Sequence, residues 1–239
     1  MKSNRRCLFI ASEVRSGSTF IAESLAYELD RNLGFELWGV TQEPFNIIDE
    51  QSSSSEILDI WGRLYLDGSG FSASKIMCKA LSIICHSAEN SDEIKRTFFG
   101  DNTYWVVIRR RDRIKQAISL AMAIKTGLYH YYGNPDESQD KDTELSNVDI
   151  ENALRIICLS DIFLEVLTSR LDKSRLVNIY YEDFLADEVG CLNRIYAMCG
   201  FPPVEPETYI NQAKLKPTAQ ESKRTSYEKF SQWFLKNYI

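Results

Sequence analysis

Residues 7–29 read Cys7-Leu8-Phe9-Ile10-Ala11-Ser12, then Glu13-Val14-Arg15-Ser16-Gly17-Ser18-Thr19, then Phe20-Ile21-Ala22-Glu23-Ser24-Leu25-Ala26-Tyr27-Glu28-Leu29. The first block is a short, bounded apolar run, which reads as a buried strand. The second is a polar turn. In the third, Ile21, Leu25 and Leu29 recur at the spacing of one helical face. Strand, loop and helix in this order open an α/β unit. Gly34 is a natural stop for the helix.

The same alternation continues along the chain. Residues 49–56 hold four serines in a row and read as a loop or the start of a helix. Lys75 to Cys78 is a second short strand candidate, and residues 76–87 also fit a helix; pattern alone does not separate the two. Tyr104-Trp105-Val106-Val107-Ile108 is β-branched and aromatic, a strong strand signal. Asp112 is a good helix N-cap, after which Ile114, Ala117, Ile118, Ala121 and Met122 trace one face. Residues 133–147 are polar and acidic and read as a flexible loop. Residues 150–171 form a helix apolar over much of its circumference, so burial of most of its surface is expected. Arg175 to Tyr181 reads as a strand, and Val189 to Cys199 as a helix stopped by Gly200 and Pro202. Strands separated by helices predict an α/β fold, a mostly parallel sheet flanked by helices, built as a single domain over residues 1–239.

Composition sets limits on partners. The chain has 239 residues, 44% of them hydrophobic, enough for one substantial core. Its formal net charge of -6 disfavours nucleic acid and anionic lipid as partners. Local arginines and backbone amides still outweigh a diffuse negative surface at short range, so a phosphorylated ligand remains compatible. No apolar run approaches the ~20 residues of a membrane span, and a cytoplasmic location is expected. The six cysteines include no C-x-x-C pair and read as reduced and buried. His86 and His130 are the only histidines, too few for a zinc site. His86 lies among apolar residues and reads as structural.

The chemistry begins in the first loop. A helix N-terminus offers unpaired amides and the positive end of the helix dipole. Gly17 allows close backbone approach to a bulky anion. Ser18 and Thr19 add hydroxyl donors, and Arg15 adds a charged fork. By itself the segment is equally a serine-capped helix after a loop. It is not G-x-x-x-x-G-K-[ST], and it lacks that motif's lysine. A second basic cluster, Arg109-Arg110-Arg111, ends the Tyr104–Ile108 strand, where open α/β sheets place ligands. Ser119 lies roughly 10 Å along the helix from Asp112, at about 1.5 Å per residue, and shares its face.

In order and spacing, six segments resemble one family: Arg15-Ser16-Gly17-Ser18-Thr19; Thr41-Gln42-Glu43-Pro44-Phe45; Ser74-Lys75-Ile76-Met77; Arg110-Arg111-Asp112 with Gln116-Ala117-Ile118-Ser119; Thr126-Gly127-Leu128-Tyr129-His130; and Tyr181-Glu182-Asp183-Phe184. They are similar to the bacterial carbohydrate sulfotransferases of the trehalose 2-sulfotransferase type, over about residues 7 to 200. The resemblance implies an α/β sulfotransferase core related to P-loop kinases and a sulfuryl donor, 3′-phosphoadenosine 5′-phosphosulfate (PAPS). It implies that the first loop, Arg15 to Thr19, holds the 5′-phosphosulfate, and that Arg110 or Arg111, with Ser119, holds the 3′-phosphate. It makes Glu43 the general base, with His130 as the second candidate, and places Lys75 at the reacting groups. In-line sulfuryl transfer needs a base for the acceptor hydroxyl and fixed positive groups for the developing charge. No metal is required, because sulfate carries less charge than phosphate. A homodimer is a further implication.

The sequence departs from the family pattern at Val14 and Thr41, where proline is usual, and at Tyr129, where tryptophan is usual. These changes bear on the acceptor, which is expected to be a carbohydrate or glycoconjugate hydroxyl, with a natural-product hydroxyl as the alternative. The charged tail from Lys214 to Lys229 fits equally a cover over the nucleotide and a frayed terminus. Two other classes share the architecture: a nucleotide-dependent kinase, which would need the missing loop lysine, and a binding protein that keeps the donor site without turnover.

Overall fold

The structure, a computed structural model, describes residues 6–33, 47–63, 71–127, 144–210 and 221–238. Four strands pair in parallel in the order β2-β1-β3-β4: β1 Arg6–Ser12, β2 Phe71–Met77, β3 Thr103–Arg109 and β4 Leu176–Tyr180. The helices among the described residues are α1 Ser18–Leu33, α2 Ser54–Arg63, α3 Cys78–Asn90, α4 Asp92–Phe99, α5 Arg113–Thr126, α6 Asn147–Arg170, α7 Tyr181–Ala186, α8 Glu188–Cys199 and α9 Glu221–Tyr238.

β1 lies inside the sheet and is buried on both faces, which is why it reads as an unbroken apolar run. Leu8 and Ile10 face Ile21, Leu25 and Leu29 of α1 and Leu192 and Ile195 of α8. Cys7, Phe9 and Ala11 face α3, α4 and α6. There Phe9 stacks on Phe98 at 5.1 Å and meets Trp105 at 5.0 Å. Burying each such large side chain contributes about 1.5–3 kcal/mol.

The crossovers place the site. From β1 the chain passes to β2 on one side; from β3 it passes to β4 on the other. The carboxyl ends of β1 and β3 therefore flank the point where the connections diverge, the usual ligand crevice of an open α/β sheet.

Several expectations need correction. The ambiguity at residues 75–87 resolves into both elements: β2 ends at Met77 and α3 starts at Cys78 with no intervening loop. α6 is not largely buried. Ile150, Ala153, Ile157 and Leu164 pack inward, but Leu159 is 70% exposed and Ile162 63%. Among the described residues, the helix has packing partners on one side only. His86 is likewise not a core residue: its ring is 79% exposed and lies 3.7 Å from Glu89 one turn on. Cys7, Cys78, Cys191 and Cys199 are buried, whereas Cys85 is half-buried and Cys158 exposed. Burial pushes the Cys85 thiol up to about 11 and Cys199 to about 12. α4 was not anticipated; Ser91 caps it by accepting from Ile94 N. The tail ends in a packed helix, α9, whose Phe230 is fully buried against α5 and α6. Of the expected flexible loop, residues 133–143 lie outside the described residues; Ser146 opens α6 with a capping box closed by Asp149.

Among the described residues, no helix is long and apolar enough to cross a membrane.

Candidate functional site

The loop after β1 departs from regular backbone at Arg15 (φ 61°) and Gly17 (φ 86°). A non-glycine residue at Gly17 meets two obstacles. Its φ is left-handed, and a Cβ there would overlap Cγ, Cδ2 and Cε2 of the Tyr181 ring. The loop is anchored on its other side by Gln116 of α5, whose Nε2 donates to the Val14 carbonyl at 2.9 Å. Ser16 is 1% exposed, and its Oγ has no hydrogen-bond partner among the described residues. α1 then begins at Ser18, leaving its first amides directed at the loop.

Two long-range contacts bring separate segments to this loop. Arg15 Nε donates to Ser119 Oγ at 2.9 Å, across 104 residues of sequence. Lys75 Nζ donates to Thr19 Oγ1 at 2.8 Å, and Lys75 is 1% exposed despite its charge. The contact ties the end of β2 to the first turn of α1 beside the loop.

The arginines after β3 take different directions. Arg109 lies 3.1 Å from Glu165 of α6. Arg111 is half-exposed and bound to Asp183 by two contacts, of 2.5 and 2.7 Å, with its guanidinium 4.3 Å over the Tyr180 ring. The Arg111 hydrogen bond holds the Asp183 carboxyl below the usual range. Arg110 turns inward instead. Its guanidinium sits 5.3 Å over the Tyr181 ring, and its Nε has no hydrogen-bond partner among the described residues, Glu182 being 3.9 Å away. Tyr181 thus touches both halves of the crevice: Gly17 on one side and Arg110 on the other.

The β3–α5 turn is held from α7. The Glu182 carboxylate accepts from Arg111 N at 3.0 and 3.1 Å and from Asp112 N at 3.2 Å. Asp112 caps α5 by accepting from Lys115 N at 2.9 Å, and Arg113 Nε reaches Asp161 of α6 at 2.6 Å. The segment Tyr181-Glu182-Asp183 therefore supports the loop and the turn from α7. Its ring and two carboxylates set the loop and both arginines. Arg15, Ser16, Gly17, Ser18, Thr19, Lys75 and Ser119 are gathered in one place, while Arg110 and Arg111 diverge. Glu43 and His130 lie outside the described residues.

Comparison with known proteins follows the same direction. The Stf0 sulphotransferase family matches residues 59–228, well over half of the chain. Mouse sulfotransferase SULT7A1 complexed with PAP superposes with a TM-score of 0.50 at 12% identity, covering 97% of this chain and 82% of that one. The likeness is one of fold. The sulfotransferase domain from the curacin biosynthetic pathway gives a TM-score of 0.49 at 15% identity, with 95% and 98% of the two chains covered. Retinol dehydratase in a complex with retinol and PAP gives 0.49 at 16%, with 99% and 82% covered. Among curated proteins, none matches this chain in sequence.

Proposed function

Since the chain belongs to the Stf0 sulphotransferase family, we propose that this sulfotransferase uses PAPS as donor and sulfates a hydroxyl of a carbohydrate or glycoconjugate-like acceptor. The observation that carries the donor assignment is the cradle after β1. A buried Ser16 hydroxyl lacks a partner among the described residues, the backbone at Gly17 is left-handed and lies against the Tyr181 ring, and Arg15 and Lys75 lie beside the loop. These residues fit a phosphosulfate. Bound there, PAPS supplies an activated sulfuryl group.

In this reading Arg15, the amides of residues 16–19 and Lys75 set positive charge where negative charge develops during transfer. Ser119, aligned with Arg15, helps to hold the 3′-phosphate with an arginine. Arg110 is the better candidate, because Asp183 already balances Arg111. Glu43 takes the proton of the attacking hydroxyl. The acceptor class rests on the six-segment resemblance rather than on the crevice.

Calorimetric titration with PAP, with ATP as control, tests the donor. Metal-independent PAP binding, much tighter than that of ATP, is expected. An ATP preference that requires magnesium, or no PAP binding, would overturn the assignment in favour of a kinase-like protein. In the same titration Arg110→Ala is expected to weaken PAP by about ten- to a hundredfold, the range for losing a charged hydrogen-bond donor. Arg111→Ala is expected to cost only about a few-fold, since it removes a half-exposed ion pair. The reverse ranking would mean that Asp183 releases Arg111 to the ligand.

A further inference from the structure

We propose that Arg113, anchored by Asp161, is a positioning residue of the donor site, fixing from behind both the loop after β1 and the backbone at Arg110. The inference rests on the PAPS reading of the crevice. Arg113 stands where local chemistry disfavours it. It is the first residue of α5, whose first turn holds no acid. The N-terminal end of a helix carries partial positive charge, so a cation there is unfavourable. Asp161 of α6 offsets this, with its carboxylate 2.6 Å from Arg113 Nε. The anchor is firm, because Ile157 and Leu164, about one turn to either side of Asp161, are fully buried.

The rest of the guanidinium faces the site. Arg113 Nη1 donates to Gln116 Oε1 at 3.2 Å and to the Arg110 carbonyl. Gln116 is buried and passes the constraint on. With its oxygen held by Arg113, its Nε2 is turned to the Val14 carbonyl at 2.9 Å. An amide turned the other way would set oxygen against oxygen, and a buried amide has no water to turn to instead.

One side chain thus sets two carbonyls. Val14 precedes Arg15 of the loop, and Arg110 follows β3. In the donor reading these segments hold the two phosphorylated ends of one ligand. The nucleotide fixes the separation of its own ends, so the two halves of the site have to be held at the matching distance. Tyr181 spans the same halves from α7, against Gly17 and under Arg110. Arg113 spans them from α5, and the planar fork of a guanidinium suits it to several acceptors at once. It acts through the backbone and not on the ligand.

Calorimetric titration with PAP, well below the unfolding temperature so that stability does not enter the affinity, tests this. Arg113→Met keeps a long side chain and removes every donor. It is expected to weaken PAP about tenfold, as for a site displaced by about half an ångström. In an Arg110→Ala background the same substitution is expected to cost only about threefold, because part of what Arg113 positions is already gone. A side chain that merely stabilises the fold gives no such coupling. Should Arg113→Met fail to fold, Asp161→Asn keeps the shape and removes the charge; it is expected to weaken PAP about fivefold, again less so without Arg110. A wild-type chain that binds PAP, with these variants within about twofold of it, overturns this inference alone. Losses that stay the same with and without Arg110 overturn it equally. A wild-type chain that binds no PAP overturns the donor reading and this inference with it.

Discussion

Gly17→Ala is expected to lower PAP affinity and kcat/KM by about a thousandfold or more while leaving the fold in place. The reason is local and doubled. The residue sits at φ 86°, where an L side chain costs about 1–2 kcal/mol. Its new Cβ would also occupy the edge of the Tyr181 ring. Neither neighbour can yield freely. The loop is tied to α5 through Gln116 and to Ser119 through Arg15, and Tyr181 carries the Arg110 guanidinium on its face. Relief therefore has to come from displacement of the loop amides or of Arg110, and both belong to the proposed donor site. A shift of about 1 Å at such a site costs about a hundredfold, and the loop's own strain adds to it. Thermal unfolding of the variant should move down by a few degrees, because the left-handed φ alone costs about 1–2 kcal/mol and Tyr181 packs against the core around Leu8, Ile10 and Phe184. The double variant Gly17→Ala/Tyr181→Ala should recover part of the affinity if overlap is the cause. Wild-type PAP affinity in the single variant would remove the loop from the donor site.

Glu43→Gln is expected to bind PAP within about twofold of wild type and to turn over about a thousandfold more slowly, within the range for loss of a general base. Glutamine keeps the shape of glutamate and its acceptor oxygen, but it cannot hold a proton removed from the attacking hydroxyl at neutral pH. The acid limb of the kcat/KM profile, where a carboxylate base becomes protonated, should disappear with it. Binding and turnover must separate for the assignment to stand. A variant that turns over normally transfers the role to another group, and His130→Ala is then the decisive substitution.

What could be read along the chain was whatever depends on near neighbours in sequence. The apolar run of β1, the Ile21, Leu25, Leu29 face of α1, the Asp112 cap and the Gly200 stop all act within a few residues, and each stands where pattern reading puts it. The junction at Met77 and Cys78 was ambiguous because strand and helix meet with no turn residue between them. The short helix α4 carried its only strong signal in Ser91 and the two acids that follow it. α6 misled because apolar residues all round a helix imply burial only if neighbours exist on every side. Here α5, α3 and α9 cover one side and leave the other to solvent.

The sequence alone therefore determined the strand–loop–helix cradle and the parallel α/β order, because hydrophobic periodicity and helix ends are local chemistry. It could not decide which distant side chains share one crevice. That Ser119 lies against Arg15, that Lys75 is buried on Thr19, and that Tyr181 presses Gly17 while bearing Arg110 follow from the parallel order β2-β1-β3-β4. The order brings the ends of β1, β2 and β3 side by side and carries α5 and α7 over them. Tertiary structure also chose between adjacent arginines, since Arg110 lies over the Tyr181 ring while the Asp183 carboxylate of α7 holds Arg111 outward.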